Sequence, residues 1–457
     1  MHQDSRVHNA HWESPEAFSI LDPQLRKLAK DPYQYASPML SELPIDIPGI
    51  YIIGGGRQVG KSTLLKLWMK KLLDKGINPK CILYLTGELI DDHHQLVKLI
   101  SQHLAEMPDA HMHYILLDEI TYVTSWDKGV KYLSDAGLLD STELVLTGSD
   151  LVIMQQARMT FPGRRGIADL ADFHLYPISF YEWVKLQGSL SGVDEMIEKG
   201  EPSHQQCQQL MDLFYQYLAH GGYLAAINDI AKYDKILPAT LRTYAEWVKG
   251  DVLKRHKQEH YLEEIIKALL TRYGSQLTWN ALAQALSIEH PQTVADYIEL
   301  LQSMDAVFIQ HALLEDKLVA APKKAKKILF TDPFIYHAIQ FWITKTENPY
   351  QEQIIKSIED PEIVSLLVET TVVNHFRRYY PTYFIKAAGE VDIAYIKDDQ
   401  FWPIEIKWTT QFRSKDLKQI VKYQNAEIWG KTLSEKQVEG VPIYCLPWML
   451  LQLRARG

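Results

Sequence analysis

The chain has 457 residues, of which 46% are hydrophobic and 23% charged, and its formal net charge is −9. This length exceeds what one hydrophobic core accommodates, so we expect several domains, and the composition excludes collagen-like and mainly disordered proteins. The negative charge excludes nucleic-acid binding through overall charge alone. Three cysteines without a CxxC pair, and the lack of an apolar stretch long enough to cross a bilayer, favour a cytoplasmic protein without a membrane segment.

The first half of the chain alternates short apolar runs with helical patterns. Five such runs, IYII, CILYL, YILL, ELVL and FHLYPI, occur over residues 49–180, after an N-terminal segment of residues 1–48. This alternation is typical of a parallel β-sheet with crossover helices, so we predict an α/β domain there. Residues 181–258 have a helical pattern and are predicted to form a helical lid.

The first apolar run leads into a glycine-rich motif of the form GxxxxGK[ST], which stands between a predicted strand and a predicted helix. In this motif backbone N–H groups surround phosphates, Lys61 would reach the β- and γ-phosphates, and the Ser62 hydroxyl would ligate Mg²⁺. The sequence therefore predicts binding of ATP or GTP with Mg²⁺. The residues predicted to bind the nucleotide are Gly55, Gly56, Arg57, Gln58, Val59, Gly60, Lys61, Ser62 and Thr63.

Two later runs end in polar residues suited to hydrolysis of that nucleotide. Asp118 and Glu119 follow the run YILL, and we predict that Asp118 orients the metal while Glu119 activates the attacking water. Thr147 and Ser149 end the run ELVL, and either hydroxyl would face the γ-phosphate or the water. We therefore include Ser149 among the catalytic candidates.

These motifs, together with PGRR and FHLYPISFYEW, resemble the AAA-type ATPases of bacteria and archaea that carry a C-terminal DUF4143-like region. The resemblance spans most of the chain and implies a P-loop NTPase core of AAA+ type that hydrolyses ATP. It also implies that Arg164, in the Gly163-Arg164 pair before the last core strand, is the arginine that senses the γ-phosphate. Arg158 and Arg165 are neighbouring alternatives.

Residues 259–335 show three helical patterns followed by two strand-like runs around a basic turn, an order that suggests a winged helix. The lysine-rich run of residues 323–327 lies where the wing would meet a phosphate backbone. We therefore expect DNA as a partner, bound through its backbone, although solvated surface is the alternative explanation for such a run.

A second α/β unit is predicted over residues 336–457, in which a β-hairpin is followed by a charged helix over SKDLKQIVKYQ. Asp392 ends one strand-like run, and Glu405 and Lys407 lie two apart on the next, so they face the same side. Such a group suits metal-dependent phosphodiester hydrolysis, and Glu369 on the preceding helix would complete it. The pattern resembles the PD-(D/E)xK nuclease superfamily, which implies Mg²⁺ ligands at Glu369, Asp392 and Glu405. Plain exposed side chains on a hairpin, or a nuclease fold that binds DNA without cutting it, are alternatives.

These predictions combine into an AAA+ ATPase in which nucleotide state controls DNA binding or cleavage by a nuclease-like domain. The alternative is a non-catalytic, nucleotide-switched adaptor or DNA-binding protein with an inactive nuclease fold. Neither hypothesis involves a membrane, and both allow a homo-oligomer.

Overall fold

The structure is a computed structural model that describes residues 8–151, 154, 161, 166, 170–255, 257–286, 288, 290–413 and 417–456. The chain divides into two compact units. The first comprises Met1–Tyr176 with Ser303–Asp305, and the second comprises Pro177–Gln302 with Ala306–Gly457. The five consecutive segments expected from the sequence stay a prediction.

All five predicted strands of the first unit are present and run parallel in the order β2-β3-β4-β1-β5. They are β1 (Gly49–Gly54), β2 (Ile82–Thr86), β3 (His113–Asp118), β4 (Thr142–Gly148) and β5 (Asp172–His174). Because β4 lies between β1 and β3, the carboxyl end of β4 is flanked by the ends of the strands that carry the two predicted motifs.

Short helices precede this sheet and longer ones connect its strands. The α-helices are α1 (Phe18–Leu21), α2 (Pro23–Leu28), α3 (Met39–Glu42), α4 (Lys61–Asp74), α5 (His93–Glu106) and α6 (Trp126–Asp135). Single 3₁₀ turns occur at Ala10–Trp12, Pro79–Cys81, Gly87–Leu89 and Ile120–Tyr122.

Alternate residues of the strands enter two hydrophobic cores, one on each face of the sheet. Ile50 and Ile52 of β1 pack in a core that includes Trp126, whereas Tyr51 and Ile53 pack in another that includes residues of α4. Both faces of a parallel sheet are buried in this way, which explains why the five strands read as continuous apolar runs.

The first part of the second unit is helical. Its helices are α7 (Phe180–Gln187), α8 (Val193–Lys199), α9 (His204–His220), α10 (Leu224–Tyr233), α11 (Pro238–Lys254), α12 (Glu259–Thr271), α13 (Trp279–Ala285) and α14 (Pro291–Ser303). Two antiparallel pairs follow, β6 (Val307–His311) with β9 (Lys326–Phe330), and β7 (Leu313–Leu314) with β8 (Val319–Ala320).

The remainder of this unit contains further helices and a six-stranded sheet. The helices are α15 (Pro333–Thr344), a π-helix (Tyr350–Ile355), α16 (Lys356–Glu359), α17 (Pro361–Phe376), a 3₁₀ turn (Ile420–Lys422) and α18 (Leu446–Arg456). The strands are β10 (Thr382–Lys386), β11 (Glu390–Lys397), β12 (Gln400–Lys407), β13 (Glu427–Gly430), β14 (Lys436–Val438) and β15 (Val441–Cys445).

The six strands are ordered β10-β11-β12-β13-β15-β14. The predicted hairpin is present as β11 and β12, which pair antiparallel, whereas β12, β13 and β15 pair parallel. The connection from β12 to β13 was expected to be a charged helix over SKDLKQIVKYQ. That expectation was wrong for the described part, where only Ile420–Lys422 forms a single 3₁₀ turn.

Only part of the lysine-rich run lies at the surface, where both explanations of the run would place it. Lys323 and Lys324 are exposed, but Lys326 and Lys327 lie on β9 and are buried. The Lys326 ammonium lies 4.5 Å from the centre of the Trp279 ring, so that ring covers it. None of the helices in the described residues has the length and apolar character needed to cross a bilayer.

Candidate functional site

The predicted nucleotide loop connects β1 to α4 and depends on glycine at two positions. Gly55 has a φ of 150°, and a Cβ there would lie 2.5 Å from the Leu175 carbonyl oxygen. Gly60 directly precedes α4 with a φ of 111°. Residues that have a side chain rarely adopt such φ angles, so both glycines are required for the turn that leads into the helix N-terminus.

Lys61, the first residue of α4, lies folded over the loop. Its ammonium donates hydrogen bonds to the carbonyl oxygens of Gly55 at 3.0 Å and Gly56 at 2.8 Å, and lies 3.6 Å from Glu119 Oε1. Burial lowers the pKa of Lys61, while the charges of Glu119 and Asp118 oppose that shift. A phosphate group would offer this buried cation a stronger partner than two neutral carbonyl groups.

Asp118 at the end of β3 is buried and held by two hydroxyl donors. Tyr84 on β2 donates to Oδ2 at 2.6 Å, and Thr147 on β4 donates to Oδ1 at 2.6 Å. Burial and the charge of Asp118 raise the pKa of Tyr84, so its hydroxyl stays protonated as a donor. Each carboxylate oxygen retains a second lone pair, which suits Asp118 to binding a metal-bound water.

Glu119 is positioned by the same hydroxyl and by a second one. Its backbone N–H donates to Thr147 Oγ1 at 3.0 Å, and its Oε2 accepts from Ser149 at 3.0 Å. The structure therefore brings together Lys61, Asp118, Glu119 and Ser149. Tyr84 could not be predicted as part of the site, since nothing in the sequence of β2 indicates its contact with β3. Arg158, Arg164 and Arg165 lie outside the described residues.

A second polar group lies in the C-terminal sheet and is called here the acidic cluster: Glu369, Glu390, Asp392 and Glu405. Asp392 Oδ2 accepts from the backbone N–H of Ile406 at 2.8 Å, which ties β11 to β12. Carboxylate oxygens of Glu369, Glu390 and Asp392 all lie within 4.8 Å of one another. Glu405 instead accepts a hydrogen bond from Lys407 at 2.5 Å.

The acidic cluster contains a buried lysine that the sequence analysis did not place there. Lys327 Nζ lies 2.7 Å from Glu369 Oε1 and 4.0 Å from Asp392 Oδ1, and it also pairs with Glu390. The nuclease-like motif gave no sign of this contact, because Lys327 precedes the motif by many residues and looked like part of a surface charge run.

The electrostatics of the acidic cluster follow from burial and mutual repulsion. Burial, and then the charge of Asp392, raise the pKa of Glu405, while burial also raises the pKa of Glu369. Burial lowers the pKa of Lys327, but the neighbouring carboxylates outweigh it and raise that pKa overall. The cluster thus attracts cations strongly, in the form of protons, ammonium groups or metal ions.

Comparison with known proteins defines the class of the first domain. A family model described as an AAA domain matches residues 48–184, and one described as a domain of unknown function (DUF8612) matches residues 211–346. The chain therefore contains an AAA-type domain with a P-loop NTPase fold, as the first resemblance predicted. The DUF4143-like and nuclease-like parts of the resemblance stay predictions.

Similarity to individual proteins is more distant. An uncharacterized protein of Haemophilus influenzae is 22% identical over 425 residues, covering 89% of this chain and 95% of that protein. A Walker-type ATPase of Pyrococcus abyssi is 13% identical with a TM-score of 0.42, covering 66% of this chain and 93% of its own. The Orc1 protein of Aeropyrum pernix, solved in complex with DNA, is 12% identical with a TM-score of 0.33. The match covers 72% of this chain and 95% of the Orc1 chain.

Proposed function

We propose that this protein is an ATP-hydrolysing AAA+ protein whose nucleotide state controls DNA binding or cleavage by a nuclease-like C-terminal region. The convergence of Lys61, Asp118, Glu119 and Ser149 at the ends of neighbouring parallel strands carries the ATPase part. That edge of a parallel α/β sheet is where such folds bind ligands.

In this proposal each residue of the loop has a separate task. The loop's backbone N–H groups and Lys61 bind the triphosphate, and Ser62 with Asp118 would hold Mg²⁺, which neutralises phosphate charge when bound. Glu119 accepts a proton from the attacking water, and the Ser149 hydroxyl orients Glu119. Arg164 is proposed to sense the γ-phosphate, as the family resemblance implies.

Steady-state ATP hydrolysis tests this assignment. Lys61→Ala should lower turnover by roughly 100-fold or more, because the transferred phosphate loses its buried cation. Lys70→Ala is a matched control, since Lys70 lies on the same helix but is exposed and pairs with Asp74. Unchanged hydrolysis in Lys61→Ala would rule out the loop as the catalytic site.

The nuclease-like part rests on the acidic cluster and Lys407. Asp392 and Glu405 lie on adjacent strands, with Glu369 on α17. Oxygens of Glu369, Glu390 and Asp392 lie close enough together to suit a hard divalent cation. Glu369, Asp392 and Glu405 would hold Mg²⁺, which would polarise a phosphodiester when bound. Lys407 would stabilise the charge on the phosphate. We further propose that residues 259–335 form a winged helix, with exposed Lys323 and Lys324 contacting the DNA backbone.

Cleavage of plasmid, single-stranded DNA and RNA in Mg²⁺ or Mn²⁺ tests the nuclease-like part. We expect nicking by the wild type that Asp392→Ala and Lys407→Ala each reduce by roughly 100-fold or more, whereas the exposed-site control Lys436→Ala retains it. A wild type inert on all substrates would favour the second candidate, a nucleotide-switched adaptor, which the buried lysine within the acidic cluster supports.

A further inference from the structure

The acidic cluster contains its own cation. The Lys327 side chain is only 2% exposed, and its ammonium contacts carboxylates that come from α17 and from β11. A lysine is almost never buried this completely unless it is paired. The three carboxylates around Lys327 would repel one another without a shared positive charge, and the ammonium supplies that charge.

A second observation shows that the acidic cluster has acceptor capacity that Lys327 does not use. Glu405 is 6% exposed, and its Oε2 has no hydrogen-bond partner within the described part of the chain. Burial, and the charges of Asp392 and Glu369, raise the pKa of Glu405. A buried carboxylate oxygen without a donor is costly, so Glu405 Oε2 is an acceptor that neither Lys327 nor Lys407 satisfies.

The segment that supplies Lys327 also holds the acidic cluster at two other points. Gln310 on β6, the partner strand of β9, donates to the Asp392 carbonyl oxygen at 2.9 Å, and the Gln276 side chain donates to Glu390. Lys327 and both glutamines therefore belong to one stretch, residues 276–327. A movement of that stretch would remove the ammonium and expose the carboxylates in one step.

We propose that Lys327 closes the acidic cluster to divalent cations, so that Mg²⁺ or Mn²⁺ binds only when this side chain leaves. The inference deepens the proposed nuclease-like function and rests on it for the identity of the cation. Lysine and metal compete for the same carboxylate oxygens, because those oxygens lie close enough together to contact one cation at a time.

Mn²⁺ binding to the full chain without nucleotide, measured by electron paramagnetic resonance, tests this competition. Lys327→Met should bind Mn²⁺ at least about tenfold more tightly than the wild type, and adding Asp392→Asn should abolish the gain. Lys317→Met, which removes an exposed lysine from the same region, is the matched control and should behave like the wild type. A folded Lys327→Met protein with wild-type affinity would overturn the proposal.

A second measurement keeps the proposal testable if Lys327→Met does not fold. The thermal unfolding midpoint of the wild type should not rise when Mn²⁺ is added at a concentration equal to that of the protein, since the ammonium outcompetes the metal there. A rise that Asp392→Asn abolishes would show metal entering beside Lys327 and would overturn the proposal. If Lys327→Met binds Mn²⁺ more tightly but nicks no DNA, this inference holds and the proposed nuclease activity is ruled out.

Discussion

Asp118 shows how single residues from three strands define the nucleotide site. Its two oxygens are held by hydroxyl groups from β2 and β4, on either side of β3. Thr147 also accepts from the Glu119 backbone, so one hydroxyl fixes both acidic residues. Such a pair of donors orients the carboxylate before any ligand arrives, which lowers the cost of assembling the site.

Glu143 on β4 gives a prediction about stability that is separate from function. Its side chain is fully buried, and burial, with the nearby charge of Asp46, raises its pKa to about 9. The folded state therefore holds a proton that the unfolded state releases above about pH 4.5. Stability from this group is present below the unfolded pKa and is lost as pH rises toward the folded pKa.

Glu143→Gln removes this proton linkage because glutamine stays neutral. Relative to the wild type, the variant should gain on the order of 1–3 kcal/mol in unfolding free energy between about pH 6 and about pH 8. Urea denaturation at several pH values measures this difference. Glu106→Gln, at an exposed position, is the control and should show no such trend. A gain independent of pH would contradict the assignment.

For single residues, the sequence predicts those that share a local motif, but not those that come into contact only when the chain folds. Lys61 and Ser62 follow from the loop spacing, and Asp118 with Glu119 from their position after an apolar strand. Tyr84 and Lys327 reach their carboxylates from other strands. The spacing of residues along the chain does not show which elements become neighbours in the fold, so neither contact could be predicted.

The N-terminal segment is an element whose role becomes clear only in the structure. β2 is the edge strand of the first sheet, and the Asn9 side chain pairs with both backbone groups of Tyr84, accepting from its N–H at 2.8 Å and donating to its carbonyl at 2.9 Å. Trp12 donates to the Ile82 carbonyl at 2.8 Å. The segment thus provides hydrogen-bond partners for backbone groups of the edge strand β2 that would otherwise be unpaired.

Asn9→Ala should destabilise the first unit by about 2–4 kcal/mol, because two buried backbone groups of Tyr84 lose their partners. Since Tyr84 also holds Asp118, we expect lower ATP turnover as well. Thermal unfolding and the ATPase assay measure the two effects. Gln34→Ala is the control, as that amide is exposed and donates to the Ala29 carbonyl within its own segment. Wild-type stability in Asn9→Ala would refute this role.

Among elements, the sequence predicts those with a strong apolar pattern. The five parallel strands and α17 follow from buried runs, since burial on both faces leaves few polar positions. A helix was expected after β12 because charged and apolar residues recur there at helical spacing. In the structure, the apolar side chains of Leu417 and Ile420 pack into the hydrophobic core of this sheet, but the described residues there form no continuous helix.

For the whole molecule, the division into two units does not follow a simple boundary along the chain. Ser303–Asp305 belongs with the first unit, where the His174 ring lies 3.0 Å from Asp305 Oδ2. Composition and element order predict several domains, but they do not show that a short later segment returns to an earlier unit. Two compact units also mean that unfolding of the full chain need not be a single two-state transition.

Titration of Mg²⁺–ATP into the full chain tests the central claim most directly. Glu119→Gln should bind ATP without hydrolysing it, which lets affinity be measured at equilibrium, and its turnover should fall by about 100-fold or more. Adding Lys61→Ala to that variant should weaken binding by at least about 100-fold. Equal affinity with and without Lys61, or rapid hydrolysis by Glu119→Gln, would contradict the account.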